Sequence, residues 1–201
     1  MSNTLAIAGV SAALKHLLAT GMVQHHVAEA LGAAVTVSVL SPDLVPRSDH
    51  GPYLNLFLFL YQVTENAALR NVAPPSRTTG ATSAGNPPLA LDLHYLLTAY
   101  GAAELHAEVL LGTALSTLHE HPVLLQDRLR TALTPTGADD DPLPPAFQAL
   151  ARCDLAGQEE LLRITPAALN LLEMSRIFSA AQSPYRPSVG FRISVVLIDP
   201  S

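Results

Sequence analysis

The sequence predicts an α+β fold, a mixed or antiparallel sheet of about four or five strands covered by three or four helices in a single domain of residues 1–201. Three observations predict it. Apolar residues alternate with period two around residues 34–40, 89–100 and 188–199 and recur at helical spacing in residues 4–20, 101–119 and 165–183, while the apolar run of 53–63, which periodicity separates poorly from a buried helix, reads as a strand from its Phe, Tyr, Val and Thr. Two stretches rich in proline, glycine and small polar residues, about 73–88 and 134–146, have no core of their own and read as long exposed loops. Hydrophobic residues make up 49% of the chain against 14% charged, enough to bury a sizeable core.

The elements follow in order. Residues 4–20 place Ile7, Val10, Leu14 and Leu17 at helical spacing, with Thr4 positioned as the N-cap. "AVTVSVL", residues 34–40, sets Val35, Val37 and Val39 against Thr36 and Ser38, and the prolines of "SPDLVPRSDHGP" end that strand. "NLFLFLYQVTEN", residues 55–66, is apolar on both sides: Phe57, Phe59 and Tyr61 on one, Leu56, Leu58 and Leu60 on the other. Its apolar run is far short of the roughly 20 residues that cross a membrane, so a central strand covered above and below is expected. "LALDLHYLLTAY", residues 89–100, reads as a half-buried strand with Leu89, Leu91, Leu93, Tyr95 and Leu97 inward and Asp92, His94 and Thr98 outward. Gly101 opens a helix to about His119 whose apolar line is Leu105, Val109, Leu115 and Leu118, and Pro122 limits it. A shorter helix is expected over residues 123–133. Thr165 and Pro166 form a helix start, followed by Leu171, Met174, Phe178 and Ala181 on one face until Pro184. In "SVGFRISVVLID", Val189, Phe191, Ile193, Val195 and Leu197 alternate with Ser188, Arg192 and Ser194 as a last strand.

Composition excludes several function classes. A net charge of −6 with no cluster of Lys and Arg is not the footprint of a nucleic-acid binder. Cys153 is the single cysteine, so no internal disulfide forms, and the first residues lack a basic n-region and cleavage site, which predicts cytoplasmic synthesis and assembly without membrane insertion. The low charge content points to surface hidden against partners.

Catalytic patterns are equally sparse. "HEHP" at 119–122 and "QHH" at 24–26 lack zinc-ligand spacing, and His119 and His121 fall at a helix C-terminus that favours positive charge. The aspartates of "TPTGADDDPLPP" read as a solvated turn. Asp92 and His94 share a strand face, but no G-x-S-x-G elbow supplies a serine. Arg152 beside Cys153 could lower the thiol pKa, against which stands a small buried hydrophobe. Neither a Walker pattern nor G-x-G-x-x-G occurs. No enzyme, cofactor or metal is expected.

Four blocks carry a family resemblance: "NLFLFLYQVTENAALRN" (55–71), "PPLALDLHYLLTAYG" (87–101), "ELHAEVLLGTALSTLHEHPVL" (104–124) and "SPYRPSVGFRISVVLID" (183–199). In these the chain resembles the tube-terminator, or cap, proteins of phage-tail-like contractile injection systems. The first two blocks are the specific ones, and residues 1–50 and 125–165 match only in general character. The resemblance implies a structural protein that forms a homohexameric ring on the last disc of the inner tube, away from the baseplate. There it would end tube growth and engage the last sheath ring. The partners so implied are other copies of this chain, the inner-tube protein and the sheath protein, with a length-determining tape-measure protein as a further candidate. By position in the matched blocks, Asn66, Arg70 and Asn71 at the strand-to-loop junction, with Arg186 and Arg192 by the last strand, would make the contacts. For Asn66 and Arg70 the alternative is that they cap the turn. Two other classes stay open: an assembly chaperone or baseplate adaptor of the same machine, and a metal-dependent hydrolase.

Overall fold

The computed structural model describes residues 3–44, 54–69, 88–134, 145–158 and 160–198. The period-two segments and the apolar run become strands β1 (Val35–Ser38), β2 (Leu54–Glu65), β3 (Leu89–Tyr100) and β6 (Ser188–Ile198). Two more strands join them, β4 (Val123–Leu124) and β5 (Leu162–Ala167), giving one six-stranded sheet in the order β1-β2-β3-β6-β5-β4. Among the described residues only the β1–β2 pair is parallel, so the sheet is mixed, as expected, with more strands than the periodicity alone marks. The helices are α1 (Ala6–Gln24), α2 (Val27–Leu31), α3 (His106–Glu120), α4 (Gln126–Leu133), α5 (Pro145–Ala149) and α6 (Leu171–Ala180).

One face of the sheet carries the main core. Leu54, Leu56 and Leu58 of β2, Leu93, Tyr95 and Leu97 of β3, and Phe191 and Ile193 of β6 pack beneath α1, α3 and α4. Helix α1 touches the sheet and both of those helices, which is why it is apolar nearly all round instead of along one stripe. Its length and hydropathy reach what a membrane span needs, but most of it is buried in this core. At Gly21 the α1 backbone comes against Thr117 of α3 so closely that a β-carbon would lie 2.7 Å from Thr117 Cγ2. Tyr95 donates or accepts a buried hydrogen bond of 2.8 Å with Ser11 and stacks on Phe191, and burial raises its hydroxyl pKa.

The second face is shared between α6 and solvent. Phe57 pairs in register with Thr98, and Phe59 with Leu96, whose neighbour on β6 is Gly190. Leu169 sits over Gly190, filling the space a β-carbon would take there. Helix α6 follows, anchored by buried Phe178 and by a capping box in which Asn170 Oδ1 accepts from Glu173 N and Glu173 Oε2 accepts from Asn170 N.

Several local expectations give way. The strand of residues 54–65 is second from the edge, not central, because β6 inserts on the far side of β3. Strand β3 is buried on both faces, Asp92 and Thr98 included, and its Leu89 is exposed instead. Thr4 does not cap α1: the N-cap is Leu5, and Asn3 Oδ1 accepts from Leu5 N. In α3 the buried stripe is Leu110, Ala114, Thr117 and Leu118, while Leu105, Val109 and Leu115 face outward. Residues 123–133 open with β4 before α4 forms. Thr165 and Pro166 lie in β5, not in a helix. Pro166 is tolerated there because Ile164 N donates to Pro122 O on that side and β4 has already ended, so the missing N–H faces no strand. In β6 the alternation breaks at a bulge opposite Leu91 to Leu93: Phe191 and Ile193 are buried, then Val196 instead of Val195. The bulk of the two expected loops, residues 73–87 and 135–144, lies outside the described residues.

Candidate protein interface

Where β2 leaves the sheet, three strands converge on one carboxylate. Asn66 N donates to Ala90 O, which carries the β2–β3 ladder one residue further, and Asn66 Nδ2 donates to Asp92 Oδ1 at 2.8 Å. The same side chain accepts from Ala68 N and Leu69 N, each at 3.1 Å, so Asn66 also closes the turn that follows. From β6, Arg192 Nη1 approaches Asp92 Oδ2 at 3.7 Å. The Asp92 side chain is only 9% exposed, whereas that of Arg192 is 44% exposed. The arginine therefore reaches solvent while a buried acid holds one nitrogen of its guanidinium. Beside this group Thr64 Oγ1 bonds His94 Nε2 at 2.9 Å. Burial lowers the His94 pKa, Asp92 opposes that and Arg192 adds to it, so the neutral ring is favoured.

The bulge at Tyr61 brings this about. Tyr61 is the extra residue between Leu60, paired with Tyr95, and Gln62, paired with His94. Beyond it Gln62 and Thr64 share the second face with His94 and Asp92. Across the sheet the same row continues through Arg192 to Thr165, its register partner on β5, and diagonally to Arg163. Leu162 and Ile164 point into the core and Arg163 and Thr165 are exposed, so the second face is apolar under α6 and polar beyond it. Between α6 and β2 a cavity of about 590 Å³ is lined by Phe59, Tyr61, Ile177, Ala180 and Asp43. Burial, with Glu173 nearby, raises the Tyr61 hydroxyl pKa.

Of the expected contact residues, the structure brings Asn66 and Arg192 to one acid. Arg186 lies at the other end of β3, 5.4 Å over the Tyr100 ring, whose edge meets Phe57. Arg70 and Asn71 lie outside the described residues. Asp92 and Arg163 are the two residues of this surface that sequence reasoning did not single out. Asp92 was visible only as a polar position in an apolar strand, and Arg163 was hidden by the helix-start reading of Thr165–Pro166. The alternation Leu162, Arg163, Ile164, Thr165 was the usable signal. Cys153 has its thiol pKa pushed up by burial, with a hydrogen bond at Leu155 opposing and Asp154 adding, so Arg152 does not activate it. Among the described residues no group of three or more His, Cys, Asp or Glu side chains could hold a metal ion.

The family model of the Pvc16 N-terminal domain matches residues 9–201. Among solved structures the chain is similar to the sheath/tube terminator of PVC, an extracellular contractile injection system, in its extended state. The TM-score is 0.52 at 13% identity, over 97% of this chain and 57% of that one. It is also similar to the tube-terminating cap of the anti-feeding prophage, with a TM-score of 0.44 at 15% identity over 82% of this chain and 49% of that one. At such identity the first likeness is one of fold, and the second is too loose to bear on it. The chain spans about half the length of these structures. No curated protein matches it.

Proposed function

Because the chain belongs to the family of Pvc16 N-terminal domains, we propose that it is a structural cap of a contractile injection system. In this reading copies form a homohexameric ring on the baseplate-distal end of the inner tube, end its polymerisation and engage the last sheath ring. Residues 1–201 act as one unit, and the role is structural, not catalytic. The observation that carries the reading is the family match over residues 9–201.

The physical requirement of a terminator supports it. A tube of identical stacked rings presents the same face after every addition, so nothing in its own subunit ends growth. The ending subunit must have two unlike sides. Here one sheet face is buried under α1, α3 and α4, and the other is half open and polar. Asn66 and Arg192 border that open half, Arg186 lies at the other end of β3, and Arg70 and Asn71, next in sequence after the Asn66 turn, lie outside the described residues. These five are the proposed protein-interface residues, whether the partner is another copy of the chain, the tube or the sheath. Assembly then takes place where tube and sheath are made, and the finished particle includes the cap.

Deletion of the coding sequence is the test. Particles imaged without the protein are expected to have tubes or sheaths of irregular length, or sheaths that fail to stay extended. Uniform length with normal contraction would refute the cap reading, and a subunit imaged at the baseplate would assign an adaptor role instead.

A further inference from the structure

We infer that the open polar half of the sheet is a docking surface for a second copy of this chain, which meets it with the outer side of α3. The inference rests on the ring reading and says which two sides of the subunit make the ring.

Two surfaces of opposite charge lie on opposite sides of the sheet. On the second face Arg163 and Arg192, on neighbouring strands and one register step apart, are exposed with Thr165 beside them. The carboxylate in this row, Asp92, is buried and already engaged by Asn66 and Arg192, so it offers nothing to a partner. With Asp92 set against Arg192, the strip keeps a net positive charge through Arg163, on a chain of net charge −6. Helix α3 lies across the sheet from it, since Leu110, Ala114 and Leu118 belong to the same cluster as Tyr95, Leu97 and Ile193. Along its exposed side run Glu108, Gly112, Ser116 and Glu120, every fourth residue, with Ser116 Oγ donating to Glu120 at 3.0 Å. The small residues in mid-stripe let a flat sheet face approach between the acids.

The geometry decides how copies meet. Patches on opposite sides cannot satisfy one another within a chain, and they are not self-complementary, so they do not suit a two-fold pair. They join the cationic face of one copy to the acidic side of the next, a head-to-tail contact that makes the ring of the proposed function when the rotation between successive copies closes. Arg192 is pre-aimed by Asp92, which limits the freedom it loses on docking.

Arg163→Glu is the test, because Arg163 is exposed and plays no part in the Asp92 group. Sedimentation of the full chain over a concentration series is expected to show the wild type associating, less so at high salt. R163E should associate about ten-fold or more weakly at an unchanged melting temperature, as like charges then face each other. The swapped chain carrying R163E and E108R should regain association. Wild-type and R163E chains that form the same ring would overturn this inference and leave the ring reading intact, and so would a swapped chain that regains nothing. A wild type that stays monomeric at every concentration would overturn both docking and self-assembled ring, while particle length without the protein still decides the cap reading.

Discussion

Replacing Asp92 with alanine removes the acid on which β2, β3 and β6 converge. Asn66 Nδ2 loses an acceptor at 2.8 Å and Arg192 a partner at 3.7 Å. A hydrogen bond to a charged group contributes about 1.5–3 kcal/mol. Truncating one member of a fully buried ion pair costs about 3–5 kcal/mol, but that figure includes stranding the other charge away from water. Arg192 is 44% exposed and rehydrates, so the lower range applies and Asp92→Ala is expected to cost about 1.5–3 kcal/mol. Asp92→Asn keeps an acceptor for Asn66 and gives up only the long ion pair, so it should cost about 1 kcal/mol or less. The assay is urea unfolding of D92A, D92N, N66A and the D92A/N66A double variant. Asn66→Ala alone also opens the 66–69 turn, so the informative quantity is the coupling between the two sites, expected at about 1–2 kcal/mol. Additive effects, or D92A within about 0.5 kcal/mol of wild type, would refute the convergence on Asp92 as a stabilising group.

Two further outcomes are expected. Gly21→Ala gains about 1 kcal/mol of helix propensity but drives a methyl group into Thr117, which is 2% exposed and held by its bond to Thr113 O, so net destabilisation of about 1–2 kcal/mol is expected in thermal unfolding. Adding Thr117→Ala should recover part of the loss. His94 has a folded pKa below its ordinary value of 6.5, because burial favours the neutral ring. Below that value the unfolded chain takes up the proton first, so the His94 contribution is complete above about pH 6.5 and is lost as pH falls through it. Denaturation across that range should show a steeper fall for wild type than for His94→Gln, and identical slopes would remove His94 from the account.

Local chemistry made much of this chain legible. The alternation in residues 89–100 and the first half of 188–198 is a property of the backbone period, and it marks strands wherever they end up. The apolar spacing of residues 6–24 is likewise enough for a helix, and the two-sided apolar run of residues 54–60 announces a strand covered above and below. Tertiary structure decided the rest, because it depends on which segments meet. Only the insertion of β6 between β3 and β5 moves β2 away from the centre and buries both sides of β3. Only packing against α1 selects Leu110, Ala114, Thr117 and Leu118 over the equally apolar Leu105, Val109 and Leu115. Thr165–Pro166 has the local form of a helix start, yet the ladder to Arg192 and Phe191 holds it in a strand, at an edge position that asks no N–H of the proline. The bulges at Tyr61 and in β6 shift each strand by one residue and so exchange its faces, an effect that no local pattern encodes. Asn66, Asp92 and Arg192 are far apart in the chain, and pairing across three strands is what brings one amide hydrogen bond and a guanidinium to one buried carboxylate.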